Sequence, residues 1–201
     1  DEANKNALLS VEPLELPDRK VPAEPQGDLT IRLLANPTRP FVVSWQSIRK
    51  VLFFEENLLS EAQRLTNEGK FDDAFDYYAR LLREYPTLPG LNDAANDFLR
   101  RNALQLHQSE QYERALAVLA ALYDRQPHAP GLSAAVDAVC GKMIEQHLRV
   151  KDYAAARGVL DLWRDQFSVL NSPAAAGWEQ RFATAAERQV SEARQHIADK
   201  K

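Results

Sequence analysis

Four histidines, one cysteine and a set of arginines carry the chemistry this chain has for catalysis, metal binding or anion recognition. Cys140 and His147 stand seven residues apart, a spacing that puts both on one face of a helix and within reach of one metal. A zinc site usually needs four such ligands, and the chain has no second cysteine to add. Cys140 also falls on an apolar stripe with Val136, Val139 and Met143, where a thiol behaves as a small hydrophobe. His107, His128, His147 and His196 are scattered, and the seven glycines form no phosphate-cradling cluster. Arg80, Arg83, Arg100, Arg101 and Arg114 are interleaved with acids, the pattern of a solvated helix surface. The expectation is therefore a chain that is not an enzyme, with no catalytic residue, no metal and no cofactor.

The elements that must position any site come from a repeat. Gly69-Lys70-Phe71-Asp72-Asp73-Ala74-Phe75 returns 41 residues later as Glu110-Gln111-Tyr112-Glu113-Arg114-Ala115-Leu116, and again as Lys151-Asp152-Tyr153-Ala154-Ala155-Ala156-Arg157. The exit Pro86-Thr87-Leu88-Pro89-Gly90-Leu91 is echoed by Pro127-His128-Ala129-Pro130-Gly131-Leu132. A fixed period of this size marks a solenoid of stacked helix pairs. Phe71, Tyr112 and Tyr153 are expected to plug the turn inside each pair. Ala74, Ala115 and Ala156, one turn on, are expected where two helices approach closely. Phe75, Tyr78, Leu81, Leu82 and Tyr85 continue at helical spacing until Pro86 ends the helix. The spacing predicts helices over 55–68, 71–85, 91–108, 112–125, 132–149, 153–167 and 173–199, with Ser172 as the last N-cap. Three pairs (about 55–90, 91–131 and 132–172) and a final helix make up a domain over 55–201, with one continuous core.

Gly69, Phe71, Ala74, Tyr78 and Pro86 resemble the tetratricopeptide repeat, in register with that family's glycine, aromatic, alanine, large residue and closing proline. The second unit keeps Tyr112, Ala115 and Pro127 but has Glu110 for the glycine; the third keeps Tyr153 and Ala156, with Lys151 and Ser168 for glycine and proline. The period exceeds the family's, which is about 34 residues. The first helices offer Leu58 and Ala62, then Leu99 and Ala103, in place of the family's Trp–Leu–Gly. The resemblance implies a peptide-binding groove along the first helix of each pair. In this register the groove falls on Gln63, Thr66 and Asn67, on Asp97, Arg100, Leu104, His107 and Gln108, and on Glu145, Leu148 and Arg149. Gln63, Asn67, Arg100, His107, Glu145 and Arg149 are the residues expected to hold a partner segment. The Lys and Asn set with which some family members grip a C-terminal carboxylate is not at these positions.

Residues 1–54 differ in kind. They hold six of the eleven prolines, with short β-like runs at Leu8–Leu16, Leu29–Leu33 and Phe41–Trp45. Val51–Phe54 reads as a last strand or as the run into the first helix. Asn36-Pro37-Thr38-Arg39-Pro40 has turn chemistry and is expected to join two antiparallel strands. The reading is a small β-module of three or four strands, in the manner of an SH3-like or Sm-like half barrel. Glu12-Pro13-Leu14-Glu15-Leu16-Pro17-Asp18-Arg19-Lys20, Arg32-Leu33-Leu34, Asn36-Pro37 and the repeat from Glu61-Ala62 to Leu91 are similar to the region before the solute-binding domain in certain bacterial family-5 extracellular solute-binding proteins. That resemblance implies an extracytoplasmic scaffold whose ligand-binding lobes lie elsewhere.

Composition bounds the partners. Apolar residues at 45% and charged ones at 27% describe an ordinary globular chain. A net charge of −4 gives no electrostatic footprint for nucleic acid, and no apolar run is long enough to span a bilayer. The single cysteine excludes an internal disulfide. The chain begins at Asp1 rather than Met, so a processed or trimmed chain is expected and the lack of a visible signal peptide excludes no compartment. The reading is a non-catalytic interaction or scaffolding module, whose partner is a protein or peptide segment, including the rest of its own parent chain. The rival readings are a spacer with no ligand and an accessory region of an enzyme. The final helix carries Trp178, Phe182, Ala185, Ala186, Val190, Ala193 and Ile197, a stripe expected to seek a second copy of the chain or the continuation of a longer array.

Overall fold

The computed structural model describes residues 8–16 and 20–198, apart from the side chains of 193 and 196–198. The chain divides into two units, with the boundary between Asn57 and Leu58. The first contains an antiparallel hairpin of β1 (Asp28–Leu33) and β2 (Asn36–Ser44). Asp28 pairs with Ser44 and Ile31 with Phe41, and a register shift falls between Arg32 and Leu33. A single bridge joins Val11 to Leu33, flanked by bonds from Glu12 N to Arg32 O and from Leu34 N to Ser10 O.

The hairpin corrects three expectations. The turn is Leu34-Ala35, and Asn36–Pro40 is the start of β2. Pro37 and Pro40 are tolerated there because a strand at a sheet edge does not need every N–H for its ladder. Where three or four strands of a half barrel were expected, the described residues form two. Leu8–Leu16 contributes only its bridge, and Val51–Phe53 runs into α1 (Phe54–Asn67). Pro17, Asp18 and Arg19 lie outside the described residues.

The second unit is built of helices in consecutive pairs. After α1 come α2 (Phe71–Glu84), α3 (Leu91–Gln108), α4 (Tyr112–Arg125), α5 (Leu132–Arg149), α6 (Tyr153–Gln166) and α7 (Pro173–Ala198). Ser172 accepts from Ala175 N, as its N-cap position requires.

The turn inside each pair is the same object three times. Lys70 N, Gln111 N and Asp152 N each donate to the carbonyl five residues back, on Leu65, Leu106 and His147. This is the Schellman closure, which needs its central residue in the left-handed region. Gly69 meets the need at φ 73°; Glu110 and Lys151 are held at 58° and 61° despite their side chains. The exits also match. Leu91 N and Leu132 N donate three residues back, and Gly90 and Gly131, both at φ 78°, precede α3 and α5.

Ala74, Ala115 and Ala156 are fully buried. The core itself is divided. One cluster gathers Ala62, Leu65, Phe71, Ala74, Tyr78, Leu81, Leu91 and Phe98; another runs from Ala103 to Ala175. Half-buried Leu99 packs against both, so the expected continuity passes through one side chain. Two predicted core aromatics lie outside. Phe75 is 58% exposed, since the inward stripe of α2 is Phe71, Ala74, Tyr78 and Leu81. Tyr153 is 52% exposed. Phe71 has Phe98 to pack on at 6.0 Å and Tyr112 has His107 at 5.4 Å.

Candidate binding cleft

A cleft of about 300 Å³ opens in the helical unit between α3 and α5, with α4 behind it. From α3 come Arg100, Ala103, Leu104 and His107, four positions that share a face at helical spacing. Leu119 and Leu122 of α4 form the floor, both 1% exposed. Pro130 and Gly131 of the exit loop and Leu132, Ala135, Ala138 and Val139 of α5 complete the wall. The left-handed Gly131 fixes the angle at which α5 leaves that loop, so the loop itself shapes one side of the cleft.

The polar groups are few. The Arg100 guanidinium lies 3.9 Å from Asp97, at the limit of an ion pair, whereas Arg101 Nε donates to the other Asp97 oxygen at 2.7 Å. Arg100 therefore reaches the cleft with its charge only weakly matched. His107 stands edge-on to Tyr112, and its Nε2 is buried without a hydrogen-bond partner. Leu104 is 56% exposed, an apolar side chain presented at the mouth. The ends of α3 and α4 are pinned by Arg125, which donates to Asn92 at 2.8 Å and to Asn96 at 3.0 Å.

Of the six residues expected to hold a partner, Arg100 and His107 line this cleft together; Gln63, Asn67, Glu145 and Arg149 do not. Gln63 and Asn67 are exposed on α1, Glu145 pairs with Lys142 at 2.9 Å, and Arg149 is exposed in the last turn of α5. Leu104, expected in the groove, also lines the cleft; the other apolar members were missed, because Leu119, Leu122 and Val139 read as core from their periodicity alone. A signal was present in the register. Positions one repeat before Leu119 and Val139 hold Tyr78 and Phe98, and positions one repeat after Ala103 and Leu122 hold Ile144 and Trp163. The cleft has the smaller side chain at all four.

Cys140 lies in the core, where burial first and the charge of Asp137 second push its thiol from 9.0 up to about 12. It stays protonated at neutral pH, which removes the nucleophile and ligand form of sulfur. Among the described residues no three His, Cys, Asp or Glu side chains converge as a metal set, and no helix is long and apolar enough to cross a membrane.

The fold and cleft define a helix-pair repeat protein with an apolar, cation-rimmed recess where α3, α4 and α5 meet. Compared with family models, curated proteins and solved structures, the chain has no match.

Proposed function

We propose that the helical unit is a non-catalytic interaction module that takes a segment of another protein in the cleft between α3 and α5. The observation that carries this reading is the cleft's make-up: two polar side chains, Arg100 and His107, set in an otherwise apolar wall. Recognition pockets have this composition, in which apolar contact supplies affinity and a few polar groups fix orientation. The volume, at the lower end of the range for ligand sites of about 300–1,000 Å³, suits one or two side chains of a docked segment. The resemblance of the repeat to the tetratricopeptide pattern supports the same reading, as does the placement of Arg100, Leu104 and His107 on the first helix of a pair. A scaffold role in a bacterial solute-binding-type protein, outside the cytoplasm, is the corresponding biological setting.

A photoreactive benzoylphenylalanine at position 104 in cells tests the reading. Adducts should form from 104 and be lost on Arg100→Glu, while position 75, equally exposed, serves as the control. Equal labelling from both positions would leave the spacer as the better description.

A further inference from the structure

The packing of α1, α2 and α3 shows what α3, α4 and α5 lack one repeat later. The interior there is closed by an aromatic stack, with the Tyr78 ring 4.9 Å from that of Phe98. Thr66, buried on α1, donates its hydroxyl to Ala62 O at 2.8 Å. One repeat later these three positions are Leu119, Val139 and His107, and all three line the cleft. The turns and exits that set the helix positions carry the same hydrogen bonds in both pairs, so the comparison is of like places. A ring, its aromatic neighbour and a buried threonine hydroxyl are thus replaced by an aliphatic floor, a smaller wall and an imidazole. The imidazole retains the polar half of the arrangement: its Nε2 is buried and unpaired, a state that destabilises the free protein and is relieved by a matching group. At the rim, Arg100 offers a guanidinium that Asp97 only weakly occupies.

Resting on the binding reading above, we propose that the cleft selects a tyrosine flanked by acidic residues in the partner segment. The tyrosine ring takes the volume that Tyr78 fills in the first pair. Its hydroxyl pairs with His107, and a neighbouring Glu or Asp carboxylate pairs with Arg100. An acidic segment matches the one cation at the mouth. A plain aliphatic anchor would leave the imidazole nitrogen unmatched.

The test uses the full chain, labelled with ¹⁵N, and four capped tripeptides: Glu-Tyr-Glu, Glu-Phe-Glu, Gln-Tyr-Gln and Glu-Ala-Glu. Glu-Tyr-Glu should shift amides of residues 100–107 and 131–139 saturably. The Phe and Gln peptides should each bind at least threefold more weakly, and the Ala peptide should give no saturable shift. Arg100→Gln should bring the Glu-Tyr-Glu and Gln-Tyr-Gln affinities together. Leu119→Tyr puts the first pair's residue back and should abolish binding in a folded chain; Val139→Phe does the same from the opposite wall if Leu119→Tyr fails to fold. Equal binding of the Phe and Tyr peptides, or undiminished binding by a folded plugged variant, overturns the proposal. Adducts from position 104 without any tripeptide shift would refute the tyrosine selection and leave the binding module standing. Loss of both signals would refute both.

Discussion

At the residue scale the most informative departure from the repeat pattern is not a departure in backbone. Glu110 and Lys151 stand where the first turn has Gly69, yet both hold the left-handed conformation that closes a Schellman turn. A side chain in that region crowds the following carbonyl and costs about 1 kcal/mol or more. Glu110→Gly and Lys151→Gly should each stabilise the chain by about 0.5–1 kcal/mol, read from urea midpoints. The reverse change, Gly69→Ala, should destabilise by a similar amount, and its new Cβ would also meet the Gln105 side chain at 3.4 Å. If Lys151→Gly lowered the midpoint, the lost restriction of the unfolded chain would outweigh the relief of strain.

At the element scale, the cleft and the fully buried Ala115 both involve α4 and should respond oppositely to added volume. Ala115 is fully buried at the approach of α4 to its neighbours, so Ala115→Leu has nowhere to place its methyls and should cost about 1–3 kcal/mol. Ala103 borders the cleft, and Ile144 stands at the equivalent place one repeat on. Ala103→Ile should grow into open volume and change stability by less than about 1 kcal/mol, since the cavity supplies the space that a packed core denies. Similar losses for both variants in urea unfolding would mean that the recess closes in solution. The β-hairpin illustrates how an element is misread from its punctuation. Asn36-Pro37 carries turn chemistry, but the two-residue connection Leu34-Ala35 already reverses the chain, leaving the prolines inside β2.

At the scale of the helical unit, the two core clusters meet at Leu99. In an array where each repeat contacts only its neighbours, cooperativity rests on such interfaces. Leu99→Ala should therefore do more than lower stability. Native-state hydrogen exchange should show the gap in opening free energy between α1–α2 and α4–α6 widening relative to the parent chain. Uniform weakening across all helices would place the coupling elsewhere. The far end of the unit behaves as a different kind of surface. Trp178 and Phe182 of α7 pack on the second cluster, while Ala185, Ala186 and Val190 are exposed; the Ala193 and Ile197 side chains lie outside the described residues. Arg188 and Glu192 pair at 2.8 Å along the same stretch. Concentration-dependent sedimentation, with Val190→Glu as the comparison, tests whether this stretch recruits a second copy. A shift to dimer that the variant abolishes is the expected result.

The sequence by itself determined the repeat. The positions of Phe71, Tyr112 and Tyr153, of the alanines that follow, and of the PxxPGL exits are enough to set the helix pairs, because each turn is a local hydrogen-bonding problem solved by adjacent residues. Arg100 and His107 could be placed on one helix face for the same reason. Only the tertiary structure decided that these two share a recess while Gln63, Asn67, Glu145 and Arg149 do not. A cleft is the volume left over when side chains from three helices fail to meet, and each helix's own apolar stripe looks the same whether or not its partners fill the gap. Leu119 and Val139 are ordinary core residues in sequence; they become a floor and a wall only because no ring stands where, one repeat earlier, α2 has Tyr78 and α3 has Phe98.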